Sequence, residues 1–119
     1  MTTKEFVKSI ERHVRDATVR DITALLEEPP GRRPREALIA QSEWYLSLGA
    51  RERELLDGIV KHAVDSAIFG FFCVLDGVRV VEDDPVKGEF ELRYVKGSAT
   101  TLAGSDTPML HELYEGLSH

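Results

Sequence analysis

The spacing of apolar residues changes once along this chain of 119 residues, close to Phe69. Before that point apolar side chains recur every three or four residues, which is the period of an amphipathic helix. After it they run together or alternate with polar residues, which is typical of strands. Helices followed by strands predict an α+β layer fold rather than a parallel α/β fold.

Four helices are predicted in the first part: residues 4–15, residues 18–28, a helix between Pro34 and Gly49, and residues 51–68. Thr3 is the expected N-cap of the first helix, because its hydroxyl can accept a hydrogen bond from the first turn. The sequence leaves open whether residues 16–18 break the first two helices apart or lie inside one long helix.

The second part predicts three strands. Residues 69–75 are aromatic and β-branched, which favours a strand, and the following Asp76-Gly77 is typical of a type I′ hairpin turn. Residues 78–82 and 89–95 give the other two strands, with a helix running on to Leu75 as the competing interpretation.

The complete prediction is a single α+β domain over residues 1–119. N-terminal helices pack on a three-stranded antiparallel β-meander, and a short C-terminal helix, capped by Thr107 before Pro108, closes the fold. Residues 100–102 are a further short edge strand in this interpretation.

Composition excludes several classes of partner. The net charge is −6 and the chain has one cysteine, Cys73, so neither a nucleic-acid partner nor a cysteine-rich metal site is expected. The first 21 residues carry recurrent charges, and the apolar run at 63–75 is shorter than the about 20 residues that span a membrane. We therefore expect a cytoplasmic location, no membrane partner and no cofactor.

Several segments together resemble a family of small uncharacterised bacterial proteins with no assigned activity. They are SEWYL (42–46), IV (59–60), AVDSAIFGFFCVLDGVR (63–79), FELRY (90–94) and LHELY (110–114). The resemblance covers most of the chain and implies a bacterial cytosolic origin. The chain is also similar in general style to small immunity proteins of bacterial toxin systems, which is an analogy of fold alone.

Histidines and carboxylates give few catalytic candidates. His111 and Glu112 begin a metalloprotease-like H-E-x-x-H pattern, but Glu115 replaces the second histidine, so no metal site is predicted. His62 and Asp65 are three residues apart on the fourth predicted helix, where the carboxylate can orient the imidazole. Arg79 follows the apolar run and completes this candidate binding group.

Charged and aromatic residues give the remaining binding candidates. Arg32, Arg33 and Arg35 form a basic loop suited to an anion. A turn with three carboxylates, Glu82, Asp83 and Asp84, suits a basic protein surface. Trp44 lies beside Tyr45 on one predicted helix, about 100° apart, so that one ring of the two is a candidate interface residue.

The sequence favours a protein that acts without catalysis, by binding another protein. Residues 76–119 hold nine acidic and four basic side chains, so a basic partner is expected, as for an immunity protein that covers a toxin. Self-association into a homo-oligomer is a second version of this prediction. The alternative is a small-molecule-binding protein or minor enzyme, with a pocket between helices and sheet.

Overall fold

The computed structural model of the chain describes residues 1–117, and within them the fold is α+β. Its elements in chain order are α1 (Thr3–Ile10), a π-helical segment (Glu11–Asp16), α2 (Ala17–Glu27), α3 (Glu36–Ser47), α4 (Ala50–Leu75), β1 (Leu92–Lys96), β2 (Ser98–Ala103) and α5 (Leu110–Glu115). The chain forms two compact units. We call residues 15–65 the internal unit, and Met1–Val14 with the chain from Ser66 onward the terminal unit.

The first helix begins one residue earlier than predicted. Thr2 is its N-cap and forms a capping box with Glu5, because each side chain accepts a hydrogen bond from the other residue's backbone N–H, at 3.1 and 2.9 Å. Thr3 lies inside α1, where its buried hydroxyl donates to the Leu102 carbonyl at 2.9 Å. The helix continues through the π-helical segment into α2, so residues 16–18 do not interrupt it.

The core of the terminal unit is assembled from distant parts of the chain. Its buried members are Val7, Phe72, Ala103, Leu110 and Tyr114. The Phe72 ring meets the Tyr114 ring edge to face, with centroids 5.6 Å apart, a favourable aromatic geometry. Because Leu110 and Tyr114 are four residues apart on α5, both point to the same side and anchor this short helix.

The predicted strand at 69–75 is wrong, and the competing helical interpretation is confirmed. Helix α4 runs to Leu75 and ends in a Schellman motif, in which the Gly77 N–H donates to the Val74 carbonyl and the Val78 N–H donates to the Cys73 carbonyl. Gly77 has φ of 77°. A positive φ is required both in this motif and in a type I′ turn, so the same glycine fits either structure.

The sheet has two antiparallel strands within the described residues, and the three-stranded meander is not confirmed. β1 overlaps the predicted strand at 89–95, and β2 extends the predicted edge strand at 100–102. Gly97, with φ of 71°, turns the chain between them. Residues 78–82 have no strand partner at 69–75, because that segment uses its backbone hydrogen bonds inside α4.

The internal unit is helical. α2 packs against α3, and the connecting loop contains three prolines and Gly31, which has φ of 86°. α3 begins at Glu36, two residues after Pro34, close to its predicted start. The predicted helices over residues 18–28 and between Pro34 and Gly49 are therefore confirmed.

α4 is the one helix, within residues 1–117, that is long and apolar enough to cross a membrane by length and composition. A core or interface helix of a water-soluble protein passes the same test. The helix carries Lys61 and Asp65 within its apolar stretch, and little of that stretch is buried by the chain itself.

Candidate functional site

Asp76 ties the end of α4 to the start of α5. Its carboxylate accepts hydrogen bonds from the backbone N–H groups of Leu110 and His111, at 3.0 and 2.8 Å. The same carboxylate lies 2.6 Å from Nδ1 of His111, and the Asp76 side chain is 3% exposed. Phe69 packs edge to face on the imidazole, with centroids 5.6 Å apart. The carboxylate therefore replaces the Thr107 cap that the sequence predicted.

The contact between Asp76 and His111 joins a carboxylate oxygen to a ring nitrogen. An ionised carboxylate only accepts hydrogen bonds, so in that state Nδ1 of His111 is the donor. This tautomer is the one that a carboxylate imposes on a catalytic histidine. Within residues 1–117 the ring makes no second hydrogen bond. No hydroxyl or thiol of the described chain is thus placed for activation, and the pair acts as a helix cap.

Asp65 is bound by Arg15 within the internal unit. The guanidinium approaches with Nε at 3.0 Å from Oδ1 and Nη2 at 3.3 Å from Oδ2 of Asp65, while Nη1 lies 3.0 Å from Asp16. The hydrogen bond to Asp65 raises the pKa of Arg15 further above its ordinary value, against the opposing effect of burial. The planar fork matches the carboxylate geometry. His62, the predicted companion of Asp65, is exposed.

A surface depression of about 640 Å³ lies beside Tyr45 in the internal unit. Its lining residues are Tyr45, Leu48, Ala50, Arg53, Glu54, Asp57, Gly58 and Lys61. The buried Tyr45 hydroxyl donates to Asp57 at 3.3 Å, and the Arg53 guanidinium lies 5.2 Å from the Tyr45 ring centroid. Arg53 Nη2 donates to the Leu46 carbonyl at 2.8 Å, whereas its Nε is buried with no hydrogen-bond partner among residues 1–117.

Tyr45 cannot act as a base in that depression at neutral pH. Burial raises the pKa of its hydroxyl above 10, and the nearby charge of Asp57 raises it further. The phenol therefore stays protonated and serves as a hydrogen-bond donor. Its contacts with Asp57 and Arg53 join α3 to the first turns of α4.

Many large apolar side chains of this chain lie in solvent. Fifteen large apolar side chains of the described residues are exposed, against eight buried apolar residues. In the internal unit the exposed set includes Leu55 and Ile59, which share one face of α4 because they are four residues apart. In the terminal unit it includes Phe71, Val80 and Val95. Clustered exposed apolar groups mark interaction sites.

The predicted aromatic candidate lies on the surface. Trp44 is 54% exposed, whereas its neighbour Tyr45 is buried, so one ring of the pair faces solvent. Arg32, Arg33 and Arg35 are all exposed on the loop between α2 and α3.

The acidic turn of the terminal unit is held by its own hydrogen bonds. Glu82 accepts from the Gly88 N–H at 2.9 Å, and Asp84 accepts from the Val86 N–H at 2.8 Å. Lys87 Nζ donates to the backbone carbonyls of Glu82 and Asp84. Asp83 is exposed. Two of the three predicted binding carboxylates are therefore fixed in place by the turn.

Arg79 folds back onto the helix that precedes it. Its guanidinium lies against Gly70, where a Cβ would overlap Nη1. Arg79 belongs to the terminal unit, whereas His62 and Asp65, the other members of this predicted binding group, belong to the internal unit. Within residues 1–117, no three His, Cys, Asp or Glu side chains come together as metal ligands.

Two important residues were missed by the sequence prediction. Asp76 was assigned to a hairpin turn, although an acid that directly follows an apolar segment is also suited to cap a helix elsewhere. Arg15 was not identified as a partner of Asp65, since 50 residues separate them. The sequence signal for that pair was Asp65 itself, because a carboxylate among apolar neighbours needs a cation if it is buried.

Comparison of the chain with protein-family models, with curated proteins and with solved structures finds no match.

Proposed function

We propose that this protein acts by binding another protein chain through apolar side chains that its own core leaves in solvent. The observation that carries the proposal is the balance of fifteen exposed large apolar residues against eight buried apolar residues within the described chain. Single exposed apolar side chains are ordinary on a folded surface. Groups such as Val78, Val80 and Val81, which are 56–70% exposed and nearly consecutive, favour an interface.

The acidic C-terminal third suits a partner with a basic surface. Opposite charge across an interface speeds association and selects partners. The immunity version of the proposal places the protein in the bacterial cytosol, where it would cover the basic active site of a toxin. In the same proposal, the bound chain adds a strand to the two-stranded sheet.

The proposal is tested by capture with the tagged protein from an extract of its host cell, at about 50 mM and about 500 mM salt. We expect one stoichiometric partner, which is either a different protein or an untagged copy. Three charged substitutions each disrupt one apolar group: Ile59→Glu, Phe71→Asp and Val95→Asp. At least one of them should abolish capture, whereas the exposed control Asp106→Asn should not.

Two results would overturn the proposal. One is the absence of any stoichiometric partner together with a monomeric protein at all concentrations. The other is a partner that all three charged variants retain. Release of the partner at the higher salt concentration, and weaker capture by Asp83→Lys, would support the version with a basic partner.

A second candidate function is small-molecule binding in the depression beside Tyr45. The observation in its favour is Arg53 Nε, which is buried there without a hydrogen-bond partner. An acceptor on a ligand would satisfy that donor. A thermal-shift panel of metals, nucleotides and acidic metabolites tests this candidate, because a ligand of the native state raises the melting temperature. A shift that Arg53→Ala removes would support it, and no shift at millimolar ligand would reject it.

A further inference from the structure

The two edges of the sheet differ in how they are covered. β2 packs against α1, where the buried Thr3 hydroxyl donates a hydrogen bond of 2.9 Å to the Leu102 carbonyl. β1 pairs with β2 on one side, and within residues 1–117 no strand lies on its other side. An edge strand with open backbone groups is a template for another strand.

The backbone that leads into β1 is also unpaired. Within the described residues, no backbone–backbone hydrogen bond involves residues 80–91 outside the two strands. Residues 89–91 have no side-chain hydrogen bond to their backbone either. The side chains flanking this segment include Phe90, 47% exposed, and Val95, 67% exposed. Residues 89–91 therefore have unpaired backbone groups within the described chain, and Phe90 and Val95 leave apolar area in solvent.

The sequence of this edge, EFELRYV at residues 89–95, is complementary to itself when read in the opposite direction. If two copies run antiparallel with Leu92 opposite Leu92, Glu91 of one copy faces Arg93 of the other. Phe90 then faces Tyr94. Residues directly opposite in an antiparallel pair lie on the same face and interact there. A two-fold axis repeats each of these contacts.

Neighbouring registers lose this complementarity. With the centre moved to Arg93, that residue faces its own copy, and with the centre at Glu91 the two carboxylates face each other. Like charges directly opposite destabilise a strand pair. A register that keeps Leu92 and Tyr94 on the same face of the sheet must be centred on a residue, so the nearest alternatives to Leu92 are centred on Glu91 and on Arg93. The charges therefore favour the centre at Leu92.

We propose that a second copy of this chain pairs antiparallel with residues 89–95, which are the three residues before β1 and its first four, centred on Leu92, so that two copies share one four-stranded sheet. The inference rests on the proposed function, because it names the occupant of one apolar surface. The dimer closes on itself and leaves the β2 edges at its outside, where α1 packs against the end of β2 at Leu102 and Ala103.

The expected dimer is weak. Seven residues from each copy meet in this pairing, whereas a standard stable interface uses roughly 20–30 residues from each side. Affinity therefore depends on the few close pairs and on the covering of Phe90 and Val95. We expect a dissociation constant of about 10 µM, which corresponds to a transient complex.

Sedimentation velocity between about 1 and 300 µM protein measures this equilibrium. Glu91→Lys and Arg93→Glu each place like charges across the two-fold axis and should weaken the dimer at least about tenfold. The double variant E91K/R93E restores opposite charges and should restore the dimer. Lys96→Glu, outside the paired segment, is the matched control and should leave it unchanged. Circular dichroism verifies that each variant is folded.

A disulfide trap tests the register independently. In the proposed pairing, Glu89 of one copy lies directly opposite Val95 of the other. The double variant E89C/V95C should form a covalent dimer on oxidation, whereas neither single variant should do so. Cys73 is buried and does not compete.

The outcomes separate this inference from the proposed function. A monomer at every concentration, together with capture of a different protein, would overturn the second copy as occupant and leave the proposed function in place. A dimer that the charge-swapped double variant does not rescue would overturn the register and thus the proposal. A monomer that also captures nothing would overturn both.

Discussion

The carboxylate of Asp76 lies 2.6 Å from Nδ1 of His111, 35 residues further along the chain. The same side chain accepts two backbone N–H groups of α5. A helix of six residues is too short to be stable by itself. Its position therefore depends on this cap and on the burial of Leu110 and Tyr114.

Replacing the cap should destabilise the protein. We expect Asp76→Ala to lower the free energy of unfolding by about 2 kcal/mol, because the backbone N–H donors of Leu110 and His111 lose the carboxylate that accepts from both. Urea unfolding measures the change. The exposed control Asp106→Ala should stay within about 0.5 kcal/mol of the parent. Equal effects of the two variants would contradict the capping role.

Two glycines, one in each unit, should respond to substitution by alanine with opposite signs. Gly77→Ala forces a residue with a Cβ to adopt φ of 77° and should cost about 1 kcal/mol. Gly58→Ala lies inside α4, where a Cβ would meet nothing within 4 Å, and should gain about 0.8 kcal/mol from helix propensity. The melting temperatures of the two variants provide the test, and shifts of the same sign would refute the assigned conformations.

Removal of Arg15 should leave Asp65 half-buried without its fork partner. Arg15→Ala is expected to cost about 2 kcal/mol, and Arg15→Lys should cost less, because it keeps the charge but loses the second hydrogen bond. Chemical denaturation of both variants gives the comparison. Arg20→Ala, at an exposed position of α2, is the control, and a loss as large as that of Arg15→Ala would argue against a specific pair.

The raised pKa of Tyr45 predicts a fall in stability in alkaline solution. An unfolded tyrosine ionises near pH 10, whereas buried Tyr45 keeps its proton to higher pH. Its contribution is therefore fully present below pH 10 and is lost as the pH rises towards the folded-state pKa. The difference in unfolding free energy between the parent and Tyr45→Phe should shrink above pH 10. A difference that does not change with pH would contradict the burial of this hydroxyl.

Adjacent phenylalanines of α4 provide a direct test of core against surface. Phe72 is 3% exposed and Phe71 is 61% exposed. Phe72→Ala should cost about 3–5 kcal/mol through the cavity that it leaves, whereas Phe71→Ala should change stability by less than about 1 kcal/mol. Thermal unfolding of both variants measures this contrast. Comparable losses would place Phe71 in the core and weaken the proposed apolar surface.

The amphipathic period of α1 and α2 predicted these two helices. α3 and α4 were predicted from apolar residues at helical spacing, although several of those residues lie in solvent. The prediction went wrong at residues 69–75 for a local reason. Their aromatic and β-branched side chains favour a strand, but the helix can bury Phe72 on one side while Phe71 stays in solvent. Gly77 did not distinguish a strand from a helix at residues 69–75, because the hairpin turn and the helix end both need its positive φ.

Contacts between distant residues were beyond the reach of local patterns. The sequence indicated that a carboxylate at 65 needs a partner if it is buried, but several arginines were available and only the fold brings Arg15 to it. The sequence placed Asp76 in a hairpin turn and His111 in an incomplete H-E-x-x-H pattern, whereas tertiary packing joins the two side chains. The site residues that lie on the surface, such as Trp44, depend in the same way on what the rest of the chain covers.

The core of the terminal unit also has a consequence for biosynthesis. Val7 is packed with Leu110 and Tyr114, which are translated roughly 100 residues later. Translation proceeds at about 5–20 residues per second, so about 5–20 s pass between synthesis of α1 and synthesis of the residues that cover its apolar side. During that interval the nascent chain presents Phe6, Val7 and Ile10 to the cell, so a chaperone that shields short apolar helices would serve this protein before its own C-terminal helix does.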